Sequence, residues 1–162
     1  MLDRSDMKKY IFSLFIIFSM SDLVYSSSTS EKMIPLEDYL SANSNSDDPA
    51  VMEYTLFRCI GLNVMQRTVT QTRKDKLAEE VLETLDNSYG VLVSIAFINY
   101  NVANPNSSFE EFSNLVVRVT QPLAQLYQDI ANESWLKSGH YFSDPLIASD
   151  TKFCGSVVSI LG

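Results

Sequence analysis

Few residues in this chain have the types and spacing that chemistry demands. His140 is the sole histidine, in the run Ser138-Gly139-His140-Tyr141-Phe142. As a general base it would need a carboxylate to orient it, for which Asp144 is the nearest candidate, and a nucleophile within reach. No G-x-S-x-G elbow precedes it, so His140 reads as a turn or surface residue. Glu53, Glu110 and Glu111 are the carboxylates that could flank a glycosidic bond. Two of them, Glu110 and Glu111, fall where a helix begins and acids serve as caps. Glu53 lies in a mostly apolar stretch, where pairing with Arg58 or Arg67 is the structural alternative.

Metal and cofactor chemistry find little support. Two cysteines and one histidine fall short of the usual zinc ligand set unless carboxylates join them. The acidic run Ser46-Asp47-Asp48 is shorter than an EF-hand loop and lacks its ligand register. There is no C-x-x-C-H for haem attachment, and haem ligation by His140 alone has nothing to support it. Walker A and G-x-G-x-x-G phosphate loops are absent. The expectation is a chain with no catalytic, cofactor or metal site.

Cys59 and Cys154 are the only cysteines. In an oxidising compartment an even pair predicts one disulfide, here closing a loop of about 95 residues. The alternative is two buried thiols. No C-x-x-C is present, and Arg58 is the only flanking residue able to favour a thiolate, so redox catalysis is not expected.

The compartment is suggested by the N-terminus. Lys8 and Lys9 form a basic region, Tyr10 to Met20 is a short apolar run, and Val24 and Ser26 are small enough for a cut after Ser26. Met7 offers an alternative start. The apolar run is shorter than the roughly 20 residues that cross a bilayer. The pattern predicts a signal peptide over 1–26, a disordered lead-in over 27–34 and one helical domain over 35–162. No stable membrane insertion is expected once the signal is removed. Export predicts a periplasmic or secreted protein, in which the Asn106 and Asn132 sequons matter only where secreted proteins are glycosylated.

With 46% hydrophobic residues the chain can bury a real core, and its formal net charge of -8 makes nucleic acid an improbable partner. Acidity also disfavours an anionic membrane surface.

The elements that would position these residues read as helices. Pro35 opens a short one to Leu40, followed by a polar loop. Asp48-Pro49 starts a second, running to about Val69 and apolar on nearly every side, as a buried helix is. Gly61 offers a neighbour close approach. Thr72 and Asp75 have the spacing of a capping box, and Leu77, Val81, Leu82 and Leu85 form the stripe of a third helix. Asp86 to Gly90 predicts a break. Val91 to Ile98 fits either a helix or a strand by periodicity, and helical neighbours favour helix. Asn99 to Ser107 reads as a loop. Ser107/Glu110 or Ser108/Glu111 forms the next capping box. The helix behind it has the cleanest apolar arc in the chain, from Phe109 to Ile130, and Pro122 should kink it. A last helix is expected from Asp150 to Leu161.

An all-α bundle of five or six helices follows. Phe109, Phe112, Tyr127, Trp135, Tyr141 and Phe142 are core residues, or else the lining of an apolar pocket. The function this favours is an exported, non-enzymatic helical domain that binds a protein partner or a small apolar ligand. A small hydrolase of envelope or extracellular polymer, and a structural accessory protein of the envelope, are the alternatives.

Overall fold

The computed structural model describes residues 33–45, 48–73 and 75–161. The expected signal peptide and nearly all of the lead-in lie outside the described residues. Those described form five helices and no strand: α1 (Leu36–Ala42), α2 (Pro49–Gln71), α3 (Lys76–Ala103), α4 (Phe109–Ser138) and α5 (Pro145–Leu161).

α2 is the hub. It begins where Asp48 caps it, the carboxylate accepting the Ala50 N–H at 2.9 Å ahead of Pro49. Leu56, Phe57, Ile60, Leu62, Met65 and Val69 are all buried, because α3 and α4 pack along two of its sides while α5 crosses it. Around Gly61 the approach to α4 is close. A Cβ there would stand 2.9 Å from the Leu123 Cβ and 3.2 Å from the Ala124 backbone nitrogen. α4 runs on through Pro122 at this crossing. The ring deprives the helix of one backbone donor.

Several expected boundaries are corrected. Asp86 to Gly90 is no break, since α3 is continuous from Lys76 to Ala103 and Val91 to Ile98 is its second half. The turn-forming composition is overridden by α2. Arg67 Nε comes within 2.6 Å of Asp86 Oδ1, although not aligned for a hydrogen bond, and its guanidinium lies 5.6 Å from the centre of the Tyr89 ring. Asn63 Nδ2 donates to the Leu85 carbonyl at 3.1 Å. Side chains of α2 thus hold both sides of the segment in helical register. Asp75, not Thr72, caps α3, accepting the Ala78 N–H at 2.8 Å, while Thr72 terminates α2.

The following loop starts only at Asn104, because α3 reaches Ala103. Of the two candidate capping boxes the structure uses Ser108/Glu111: Glu111 N–H donates to Ser108 Oγ at 3.2 Å, and the Ser108 N–H donates to Glu111 Oε2 at 2.7 Å. α4 ends at Gly139, whose φ of 74° is the left-handed conformation glycine adopts freely. α5 begins at Pro145, five residues before Asp150, with the Asp144 carboxylate accepting the Leu146 N–H at 2.8 Å.

Candidate functional site

Three places could carry function: a buried polar cluster, a cleft beside the disulfide, and the outer face of α3. The cluster is built where α2, α4 and α5 meet. Arg58 is 1% exposed and Asp150 is fully buried, so each ion must be matched from within. Arg58 Nη2 forms an ion pair with Asp150 Oδ2, and the Tyr127 hydroxyl donates to the same oxygen. The Tyr127 oxygen accepts from Arg58 Nε at 3.2 Å and Nη2 at 3.1 Å. Arg58 Nη1 donates to the Ile34 carbonyl at 2.8 Å, and Asp150 Oδ1 accepts the Leu36 N–H at 2.7 Å. The cluster therefore ties down the chain leading into α1 as well as joining three helices.

Its electrostatics are those of a strut. Burial alone would lower the Arg58 pKa, but Tyr127 and Asp150 together outweigh it and the pKa stands raised. Burial pushes the Tyr127 phenol well above its ordinary value, so it is held as a donor. Its groups satisfy one another and are sealed from solvent, and a reaction needs an accessible group. One turn along α5 from Asp150, Cys154 is joined to Cys59, with Cα atoms 5.5 Å apart, so a covalent bond and a buried ion pair fasten the same crossing of α2 and α5.

The cleft lies between α2, α3 and α5 and measures about 130 Å³. The disulfide forms one wall, and Leu62, Leu85, Leu92 and Val158 make it mostly apolar. Asn63 also lines it. Its amide donates to Leu85, while its Oδ1 is buried without a hydrogen-bond partner.

The face of α3 is the largest departure from ordinary burial. Only Ala78, Leu92 and Ala96 of this helix are buried. α3 is long and apolar enough, by length and composition, to cross a membrane, yet 11% of its most apolar stretch is buried. Leu77, Val81, Thr84, Ser88, Val91, Ile95, Ile98 and Val102 follow one another at alternating intervals of four and three residues. That is the spacing of a coiled-coil seam. Leu77 is 59% exposed, Ile98 66% and Val102 81%, whereas Ser88, Val91 and Ile95 are half-buried and Ser88 also borders the cleft. Beside this ridge Asn87, Gly90 and Ser94 form a shallow open trough.

The residues singled out for catalysis are not brought together. Arg58 pairs with Asp150 and Arg67 with Asp86, so neither takes up Glu53. Glu111 is engaged in the capping box, and its hydrogen bonds from the Ser108 backbone and hydroxyl lower its pKa. His140 is exposed, and its backbone carbonyl accepts from Ser134 Oγ at 2.9 Å; the Asp144 carboxylate caps α5. Among the described residues no three of His, Cys, Asp and Glu gather as a metal site. Phe112 and Tyr127 are core, Trp135 stacks on Tyr141 at 4.6 Å, and none of the six aromatics lines the cleft.

Comparison with protein-family models, with curated proteins and with solved structures yields no match for this chain.

Proposed function

We propose that this chain is an exported, non-enzymatic helical domain whose work is to bind a protein partner, and that α3 receives an α-helix of that partner. The carrying observation is the seam from Leu77 to Val102, an apolar stripe at coiled-coil spacing left outside the core. A lipid surface fits it less well. One flank of the stripe (Ala78, Leu85 and Leu92) turns toward the core, and the flank on its open side (Glu80, Asn87, Ser94 and Asn101) is polar, where a lipid-facing helix would be apolar. Export is supported by the Lys8-Lys9 and Tyr10 to Met20 pattern, and the Cys59–Cys154 disulfide is compatible with it.

The test is a photo-crosslinking side chain placed at position 98 of α3 and, as a control, at Lys152 on the exposed side of α5. The expected result, in the native compartment, is a protein adduct from position 98 and none from position 152. Adducts to lipid alone, or to no protein, overturn the reading.

The cleft favours a second reading, a small apolar ligand carrying one hydrogen-bond donor for Asn63 Oδ1. Native mass spectrometry of the protein from its own compartment tests it. A bound small mass that is lost in Asn63→Leu supports this reading, and a ligand-free mass removes it.

A further inference from the structure

We infer that the helix received by α3 is the α3 of a second copy of this chain, running antiparallel about a two-fold axis between Ser88 and Val91. This inference rests on the partner-binding reading of α3 and names the partner.

The seam complements itself in that direction. With the axis between Ser88 and Val91, Leu77 meets Val102 of the second copy, Val81 meets Ile98, Thr84 meets Ile95 and Ser88 meets Val91, each pairing occurring twice by symmetry. The two polar seam residues, Thr84 and Ser88, are therefore each set against a larger β-branched apolar side chain. Neither lies opposite its own copy. Every layer couples a residue of the first half of the helix with one of the second. The flanking residues behave likewise: Glu80 falls beside Asn101 and Asn87 beside Ser94.

Charge selects the same direction. Glu79, Glu80, Glu83 and Asp86 all lie in the first half of α3, where Lys76 stands 3.9 Å from Glu80 and Arg67 of α2 answers Asp86, and no charged residue occurs from Asn87 to Ala103. A parallel pair would bring the two net-acidic halves together, with Glu79 and Glu83 of both copies, unpaired among the described residues, at one end, which is unfavourable. An antiparallel pair lays each acidic half along the other copy's uncharged half.

Length is adequate too. Leu77 to Val102 extends about 38 Å at 1.5 Å per residue, long enough for four heptad-like turns of contact. Gly90 and Ser94 leave a shallow open trough beside the ridge.

Because each copy carries a formal charge of -8, pairing works against long-range repulsion. Self-association should therefore strengthen as salt is added. A basic helix from another protein would show the opposite dependence.

The experiment uses the full chain with its disulfide intact, followed by sedimentation across protein and salt concentrations. A reversible dimer that strengthens with salt is expected. Ile98→Glu should weaken it on the order of a hundredfold, since a carboxylate would replace an apolar side chain in a desolvated layer. Ile98 is 66% exposed in the single chain, so at concentrations where both proteins are monomeric the variant should keep the wild-type unfolding midpoint. Orientation is read from Leu77→Cys and Val102→Cys joined by a short thiol cross-linker. A mixture of the two variants should cross-link, while each alone should not.

A monomer at every concentration and salt overturns the inference, as does a dimer indifferent to Ile98→Glu. Cross-linking of either variant to itself overturns the antiparallel pairing. A monomer that nevertheless gives a protein adduct from position 98 overturns the second copy alone and leaves partner binding standing. A monomer with no protein adduct overturns both.

Discussion

Arg58 shows how a single residue can set the terms for its neighbours. An arginine in the middle of the most buried helix must be paired, and every nitrogen of its guanidinium is engaged by Tyr127, Asp150 or the Ile34 carbonyl. Asp150→Asn should then cost about 3–5 kcal/mol, because the cation is left buried without its counter-charge. Urea unfolding measures the loss, and in Asp150→Ala, which removes Oδ1 as well, hydrogen exchange should show the Leu36 amide losing protection. A surface residue gives the contrasting case. Glu111 has its pKa lowered by the Ser108 N–H and hydroxyl, so the unfolded chain binds its proton more readily than the folded one. The resulting stabilisation is present above the ordinary value of 4.5 and is lost as pH falls through the lower folded value. Melting temperatures of wild type and Glu111→Gln should differ at neutral pH and converge in acid. Neither pairing choice was fully legible in the sequence. The capping box was visible as two equivalent registers, Ser107/Glu110 and Ser108/Glu111, and the helix start chose between them. Arg58 stood out as a neighbour of Cys59 and as a candidate partner for Glu53, since many acids could have answered it and only folding brings Asp150 to it.

Two glycines in helices should respond oppositely to the same substitution. Gly61→Ala places a methyl 2.9 Å from the Leu123 Cβ and 3.3 Å from the Thr120 carbonyl oxygen, so α2 and α4 must separate. A loss of about 1–3 kcal/mol is expected, as for other overpacked positions. Gly90→Ala meets open space within an α-helix and should raise stability by about 0.5–1 kcal/mol. Calorimetry of the two variants beside wild type would show midpoints moving in opposite directions. The element pattern was legible wherever a cap or periodic stripe marked it, as at Asp48-Pro49 and along α4. It failed at Asp86 to Gly90, where turn-forming residues are held helical by Arg67 and Asn63 from α2. Dividing α3 at that point also concealed the seam, whose regular spacing emerges only when Leu77 and Val102 belong to one helix. The start of α5 carried a usable signal, since Asp144-Pro145 repeats the dipeptide that opens α2.

For the molecule as a whole, the all-α architecture follows from helical stripes that need one another to be covered. The Cys59–Cys154 bond joins residues separated by 95 positions, and a loop of that size implies stabilisation of about 4–5 kcal/mol on the chain-entropy account. The oxidised protein should therefore melt well above the reduced one, and Cys59→Ser should match the reduced form. Equal midpoints would show that the buried ion pair beside it already constrains the crossing.

The longest-range fastening has a kinetic meaning. The Leu36 amide reaches across 114 positions to Asp150, and Arg58 across 92. The first helix and the hub thus wait on the last helix for their partners. A chain emerging N-terminus first carries Arg58 without the Asp150 counter-ion until α5 has been delivered, and until then α1 is held only from α2, through the Ile34 carbonyl and the Tyr39–Tyr54 contact. α2 can pack with α3 and α4 first, and the clasp closes only once α5 arrives; the long sequence spans it bridges make that step slow for a helical protein.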